Sequence, residues 1–114
     1  MRIAYLTIDE VNQNEAQRVA DRYGVGLYPL SPRDPPPNGQ FEAVLYDLDY
    51  LPPQQLQAIL GVLLSKVSDC PVALHSYNLD EEQATALRNN GIGVFRHLEP
   101  AMLRLLAGRQ MGTT

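Results

Sequence analysis

The sequence predicts an α/β fold, a three-layer αβα sandwich around a five-stranded parallel sheet. Short apolar runs rich in β-branched and aromatic residues alternate along the chain with segments of helical periodicity. The central run, Ala43–Tyr46, is apolar throughout and lies between helix and strand breakers, which is typical of a strand buried on both faces. Strands that alternate with helices form parallel sheets with right-handed crossovers and helices on both faces.

Length and composition fit one domain. The chain has 114 residues, of which 45% are apolar, enough for a single packed core. We expect the domain to span residues 1–108 and residues 109–114 to form a frayed tail. The one cysteine, Cys70, allows no internal disulfide and suits a reducing compartment. We find no signal peptide and no apolar stretch of the ~20 residues that a membrane span needs, so we expect a cytoplasmic protein that is not bound to membranes.

The charge pattern argues against nucleic acid as a partner. The net charge is −4, and the nine basic residues are spread along the chain without a cluster. No glycine-rich loop opens a helix, and the spacing of the histidines and the cysteine matches no zinc motif. We therefore expect no nucleic-acid partner.

The first third of the chain predicts a strand, a helix and a strand. The first strand is predicted over Arg2–Ile8 and is followed by two acids, Asp9 and Glu10. Apolar spacing predicts a helix over residues 15–23, with an asparagine as its N-cap and a glycine at its end. A second strand is predicted over residues 25–30.

The segment that follows departs from the regular alternation. Residues 31–40 contain four prolines in ten residues. Each proline lacks an N–H and restricts the residue before it, so a regular helix is excluded. We therefore predict a proline-rich loop in place of the helix between strands two and three.

The central strand ends in an acid. Asp47 closes the apolar run, Asp49 lies two residues further on, and Pro52 or Pro53 starts a helix that ends near Lys66. The carboxyl end of a parallel strand is where open α/β sheets bind their ligands. We expect Asp49 to be a turn former or helix cap.

The last third predicts two more strands and two helices. A strand over Val72–Ser76 leads to a helix with an Asn or Asp cap, which stops at Asn89-Asn90-Gly91. A fifth strand is predicted over Ile92–His97, and a last helix from Glu99-Pro100 to Gly108.

Four local motifs at the strand ends are typical of one family. They are the acid that ends strand three before a proline-started helix, Cys70-Pro71-Val72 at the start of strand four, Ser76 at its end, and Asn90-Gly91 before strand five. In these motifs and in its rhythm, nearly the whole chain resembles the receiver domain of bacterial two-component response regulators. The resemblance implies the flavodoxin-like strand order 2-1-3-4-5.

The resemblance also implies a site. It makes Asp47 the phosphoacceptor, Ser76 the hydroxyl that contacts the phosphoryl group, and Asp9 and Glu10, with Asp47, the ligands of Mg²⁺. In such a site the metal and a lysine after strand five neutralise the transferring phosphoryl group, and the carboxylate is the nucleophile.

Three features depart from the family pattern. The first strand is about two residues longer than usual before its acids, and four residues instead of three separate Asp47 from Pro52. The single lysine, Lys66, precedes strand four, whereas strand five ends in Arg96 and His97. Arginine does not replace lysine where a compact charge must reach a phosphoryl group. We therefore predict a degenerate receiver (pseudo-receiver) that signals by phosphorylation-independent protein–protein interaction and is not an enzyme.

Two alternatives remain open. One is a working receiver that is phosphorylated on Asp47 with Mg²⁺. The other is a small enzyme or cofactor-binding flavodoxin relative, which would need a phosphate loop that the sequence lacks. A Ser-His-Asp triad has no Gly-x-Ser-x-Gly elbow here, and the neighbours His75 and Ser76 are expected to point to opposite faces of their strand.

The interaction surface is predicted near the end of the chain. Receivers commonly use the face of their fourth helix, fifth strand and fifth helix, and the resemblance implies a homodimer through the matching face here. The residues that we assign to this surface are Tyr77, Phe95, Met102 and Leu106. Tyrosines near the carboxyl ends of strands three and four extend it, since tyrosine is favoured at interfaces.

Overall fold

A computed structural model describes residues 1–32, 40–65 and 70–112, with side chains as far as residue 107. The elements in chain order are β1 (Arg2–Leu6), α1 (Glu10–Tyr23), β2 (Gly26–Leu30), β3 (Ala43–Asp47), α2 (Pro53–Ser65), β4 (Val72–His75), α3 (Glu81–Asn89), β5 (Gly93–Phe95) and α4 (Leu98–Gly112). The five strands are parallel and lie in the order β2-β1-β3-β4-β5. The predicted fold class and strand order are therefore confirmed.

Helices cover both faces of the sheet. One core cluster joins α1 and α4 to the sheet, and the other joins α2 and α3 to the opposite face. Alternate residues of β1 supply the two clusters: Ile3 and Tyr5 lie in the first, and Ala4 and Leu6 in the second. This alternation follows from the two-residue period of a strand, and a strand buried on both faces is apolar throughout.

The chain passes from β2 to β3 without a helix among the residues whose structure is described. Residues 33–39, which hold most of the predicted proline-rich segment, lie outside the described residues, as do Lys66 and its neighbours up to residue 69.

The first helix begins earlier than predicted, at Glu10 instead of residue 15. Its N-cap is Asp9, whose side chain accepts a hydrogen bond from the Asn12 backbone N–H. The predicted asparagine cap was wrong because Asp9 already satisfies a free N–H of the first turn. Gly24 ends the helix with a left-handed φ of 68°, as predicted.

The fifth strand is shorter than predicted. It pairs only with β4, and that ladder ends where His75 faces Phe95. Beyond this point the chain has no neighbouring strand in register, so Arg96 and His97 lie in the turn before α4.

The last helix starts at Leu98 and continues through Gly108 to Gly112. We predicted that Gly108 ends this helix, and that was wrong, because a single glycine destabilises a helix by only about 1 kcal/mol. Met102 is completely buried in the core, which corrects its assignment to the interaction surface. None of the helices that the structure describes is both long and apolar enough to cross a membrane.

Candidate functional site

Two acids and a histidine meet at the carboxyl end of the central strands. Asp47 ends β3 and lies beside His75, the last residue of β4. Asp49 follows in the loop after β3. All three side chains are buried, with exposed fractions of 1% for Asp47, 4% for Asp49 and 3% for His75. Buried carboxylates are expensive unless their charge is compensated, so this cluster is a candidate site.

The Asp47 carboxylate accepts three hydrogen bonds. Its Oδ2 accepts from the Thr7 hydroxyl at 2.8 Å and from the Asn12 side-chain amide at 2.9 Å. Its Oδ1 accepts from the Asp49 backbone N–H at 3.0 Å. Thr7 follows β1 and Asn12 lies in the first turn of α1, so the ends of two neighbouring elements hold this carboxylate in place.

Asp49 also faces inward. Its Oδ1 accepts hydrogen bonds from the Ser76 hydroxyl at 3.1 Å and from the Tyr77 backbone N–H at 3.0 Å. Its Oδ2 is buried and has no hydrogen-bond donor among the described residues. Asp49 lies in a turn, as predicted, but it does not cap α2, because its side chain binds the loop after β4 instead.

The imidazole of His75 connects the acids to the core. Its Nε2 lies 2.7 Å from the Tyr5 hydroxyl, and its Nδ1 lies 3.9 Å from Asp47 Oδ1. Burial lowers the pKa of His75 below its ordinary value, although the two carboxylates oppose this shift. Burial, with a smaller effect from Asp47, raises the pKa of Tyr5 well above its ordinary value. The site therefore holds a neutral imidazole beside a protonated phenol at neutral pH.

The acids after β1 are not part of this cluster. Asp9 is engaged at the N-terminus of α1, and Glu10 is exposed in the first turn of that helix. Within the described ranges, one group of three His, Cys, Asp or Glu residues brings its ligand atoms within 4.8 Å of one another, and it consists of Asp47, Asp49 and His75. The set of magnesium ligands that the resemblance implies does not come together here.

The residues after β5 lie further out. Arg96 and His97 are exposed, and His97 Nδ1 lies 3.1 Å from the Tyr77 hydroxyl with the two rings edge to face. Among the described residues, His75 is the one basic side chain whose nitrogen lies within 4 Å of the Asp47 carboxylate. Neither residue that replaces the family lysine therefore pairs with the Asp47 carboxylate.

A shallow cleft leads from the surface to His75. It has a volume of about 270 Å³ and lies between α1 and the start of α4. Its polar lining consists of Asn12, Glu15, His75, Tyr77, His97 and Glu99. The two acids of the lining are each paired with an arginine, Glu15 with Arg18 at 3.5 Å and Glu99 with Arg22 at 2.9 Å.

Ser76 and His75 do not form a triad with Asp47. The Ser76 hydroxyl donates to Asp49, and the ring nitrogens of His75 face Tyr5 and Asp47. We expected the two neighbours to point to opposite faces, but β4 ends at His75, so the alternation of a strand no longer governs Ser76. Both residues therefore contact the acid pair, and neither activates the other as a nucleophile.

The tyrosines divide into two groups. Tyr46 is buried at 5% exposure, whereas Tyr50 and Tyr77 are exposed by 72% and 62% of their surface. Tyr50 also has a positive φ of 67°, which is uncommon for a residue with a side chain. Tyr50 and Tyr77 follow the carboxyl ends of β3 and β4, whereas the burial of Tyr46 removes it from the surface to which we assigned it.

Sequence reasoning missed Thr7, Asn12 and Tyr5 as parts of the site. Their partners are 35 to 70 positions away in the sequence, so only the sheet order brings them together. No local pattern in the sequence marks these three residues, although the two acids Asp47 and Asp49 at the end of the apolar run were visible in advance.

Comparisons with known proteins support the fold. No protein-family model and no curated protein matches the chain. The structure is similar to the solved structure of the ChxR receiver domain from Chlamydia trachomatis, with a TM-score of 0.57 and 11% sequence identity. The alignment covers 99% of this chain and 98% of that one. The chain therefore has a receiver-like, flavodoxin-like fold over its whole length.

Proposed function

We propose that this chain is a receiver-like signalling domain that acts through protein–protein contacts, without phosphorylation of Asp47 and without catalysis. The observation that carries the proposal is the state of the Asp47 carboxylate, which is buried and accepts hydrogen bonds on both oxygens. A nucleophilic carboxylate needs a free lone pair in line with the phosphoryl donor. Here Thr7 and Asn12 occupy both acceptor positions of Oδ2. Oδ1 keeps one lone pair beside the hydrogen bond from Asp49, but it is buried and lies 3.9 Å from His75 Nδ1, so a phosphoryl donor reaches neither oxygen in this arrangement.

The charges around Asp47 support the same proposal. Phosphoryl transfer depends on cations that neutralise the transferring group. Asp9 and Glu10 lie outside the acid cluster, and the residues after β5 are an exposed Arg96 and a His97 that contacts Tyr77. The sequence has no lysine after β5.

The proposed contact surface is the face formed by α3, β5 and α4, together with the neighbouring Tyr77. Phe95 and Leu106 are half-buried on this side of the molecule, and Leu103 of α4 is an exposed apolar residue at 39%. We propose a protein as the partner, with a second copy of the chain as one case, because exposed aromatic and aliphatic side chains are typical of interfaces. We also propose a cytoplasmic location, since the one cysteine suits a reducing compartment.

A second candidate is a working receiver that is phosphorylated on Asp47 with Mg²⁺. One observation favours it: Asp47 ends β3 and Ser76 follows β4, as the resemblance implies for a phosphoacceptor and its hydroxyl. This candidate requires the Asp47 side chain to leave its present hydrogen bonds and turn toward solvent.

Amide NMR separates the two candidates. The chain is incubated with Mg²⁺ and beryllofluoride, and separately with acetyl phosphate, and the signals of residues 45–50 and 74–78 are followed. We expect no change, because Asp47 is held by three donors. Shifts that appear in the wild type and vanish in Asp47→Asn would establish the phosphoacceptor and overturn our first choice.

Sedimentation tests the contact surface. Leu103→Arg places a charge on the exposed face of α4, and Leu64→Arg places the same charge on α2 at a similar exposed fraction, 45% against 39%. If the chain self-associates through the proposed face, Leu103→Arg shifts it to monomer and Leu64→Arg does not. A dimer that survives Leu103→Arg contradicts this choice of surface, as does one that is lost in Leu64→Arg.

A further inference from the structure

The cluster at the carboxyl end of β3 and β4 has the donors of a metal site. One carboxylate oxygen from each of Asp47 and Asp49 and one ring nitrogen of His75 lie within 4.8 Å of one another. Two oxygens and one imidazole nitrogen, with a fourth position for water, are a donor set that zinc enzymes and binding proteins use. The three residues lie at the ends of two paired strands, which fix their spacing.

A second observation points to a missing ligand. Asp49 is 96% buried on the basis of its 4% exposed fraction, yet its Oδ2 has no hydrogen-bond donor among the residues that the structure describes. A buried carboxylate oxygen without a donor or a cation costs several kcal/mol by general estimates. The other oxygen of the same group already accepts from Ser76 and Tyr77, so the side chain is held with one oxygen left over.

The charge of the cluster points the same way. Two carboxylates are buried side by side, and their donors are uncharged: a hydroxyl on Thr7, an amide on Asn12, a hydroxyl on Ser76 and backbone N–H groups. Over the described ranges, the one basic side chain within 4 Å of either acid is His75. A divalent cation would neutralise both carboxylates at once.

From these observations we propose that Asp47, Asp49 and His75 bind a divalent transition-metal ion, with Zn²⁺ as the best fit. The imidazole nitrogen of His75 determines which class of metal ion the site prefers. Mg²⁺ prefers six oxygen ligands and keeps most of its waters, whereas an imidazole nitrogen suits Zn²⁺ and its transition-metal neighbours. The ligand set differs from the magnesium site that the resemblance implies, since Asp49 and His75 take the place of Asp9 and Glu10.

The geometry needs a small adjustment. In a tetrahedral site with bonds of about 2.0–2.1 Å, neighbouring ligand atoms lie ~3.3 Å apart. The 3.9 Å between His75 Nδ1 and Asp47 Oδ1 would shorten by roughly 0.6 Å on that basis. The other pairs of ligand atoms lie within 4.8 Å, so their distances would shorten by at most ~1.5 Å on the same basis.

Tyr5 is the positioning residue. Its hydroxyl lies 2.7 Å from His75 Nε2, which leaves Nδ1, the nitrogen nearer Asp47, to the metal. Ligand histidines commonly use their second nitrogen in such a hydrogen bond, which fixes the ring and its tautomer. The cleft lined by Glu15, His75 and Glu99 provides the route by which an ion reaches the site.

Calorimetry of the full chain tests the site. Protein that has been freed of metal with EDTA and carries Cys70→Ser, so that the thiol cannot bind the ion, is titrated with ZnCl₂ and with MgCl₂. We expect one Zn²⁺ per chain and binding of Mg²⁺ that is at least ~100-fold weaker. Asp49→Asn and His75→Gln should each weaken Zn²⁺ binding by more than the ~10-fold expected for Tyr5→Phe.

Matched variants separate this site from the rim of the cleft. His97→Gln alters the other histidine, which lines the cleft without belonging to the cluster, and it should leave the Zn²⁺ affinity unchanged. Asp49→Asn keeps the shape and the Oδ1 acceptor of the side chain, so its fold can be verified by the amide NMR spectrum before titration.

One measurement needs no variant. Long-range proton–nitrogen NMR of the wild type reports each imidazole nitrogen, and Zn²⁺ should move the Nδ1 signal of His75 most. The proposal is overturned if Zn²⁺ shows no saturable site, if Mg²⁺ binds as tightly, or if the affinity survives both Asp49→Asn and His75→Gln. A shift confined to His97 would equally refute it.

Discussion

The hydroxyl of Thr7 is the contact that we expect to matter most for the stability of the site. It donates to Asp47 Oδ2 at 2.8 Å and accepts from the Asp9 backbone N–H at 3.0 Å, and the residue is 8% exposed. Thr7→Val removes the hydroxyl and keeps the shape. A hydrogen bond to a charged group contributes about 1.5–3 kcal/mol, and a neutral one about 1 kcal/mol. We therefore expect the free energy of unfolding to fall by ~3 kcal/mol, a large part of the 5–15 kcal/mol that is typical of a domain.

Urea denaturation measures this loss. The dependence of the free energy on urea should stay the same while the midpoint falls. A cycle with Asp47→Asn isolates the pair, and we expect a coupling energy of about 1–2 kcal/mol between the two side chains. Thr85→Val, at an exposed position on α3, is the matched control and should change stability by less than ~0.5 kcal/mol. A loss below ~0.5 kcal/mol in Thr7→Val would refute the role of the hydroxyl, and so would an equal loss with Thr7→Ser.

Three further predictions follow from the structure. Burial lowers the pKa of His75 in the folded chain from its ordinary value of 6.5, so the unfolded chain binds this proton first as the pH falls. Without metal, this contribution to the free energy of unfolding should be complete above about pH 7 and should fall by up to ~1.4 kcal/mol per pH unit below about 6.5. The slope should be absent in His75→Gln. Gly24 has a φ of +68° and Gly61 lies in α2, and both have open space around them. Gly24→Ala should destabilise the protein by about 1 kcal/mol, whereas Gly61→Ala should stabilise it by about 0.5–1 kcal/mol. Thermal melts in which both variants shift the melting temperature in the same direction would contradict this. Asp80→Ala breaks the capping box with Gln83 and should cost about 1 kcal/mol, which Asp80→Ser restores.

The three central strands, β1, β3 and β4, were predictable because they are short apolar runs buried on both faces, a pattern that the local sequence shows directly. β3 was predicted to end in Asp47 and does so. Helix ends were harder. Asn12 looked like a cap by its type, but its backbone N–H donates to Asp9 and its side chain binds Asp47. Asp and Asn are similarly good N-cap residues, so which of them caps the helix depends on where the preceding strand ends.

Only part of the candidate site could be predicted from the sequence. Its position at the carboxyl end of the central strand follows from the fold class, and Asp47 and Ser76 were named in advance. The partners of Asp47 depend on the strand order, which places the end of β1 beside β3. The burial of His75 depends on the core packing around it. Neither strand order nor packing leaves a local pattern in the sequence, so Tyr5, Thr7 and Asn12 were assigned to the site only from the structure.

The hydrogen bond between Tyr5 and His75 gives the molecule a built-in optical probe. The chain has no tryptophan, so its near-ultraviolet circular dichroism comes mainly from tyrosine. Of the six tyrosines, only Tyr5 and Tyr46 have buried rings, while the other four are at least 40% exposed. Fixed rings dominate such a spectrum. Binding or protonation at Asp47 and Asp49 should therefore change the circular dichroism signal through Tyr5. A protein that docks on the outer surface of α4 can leave this signal unchanged.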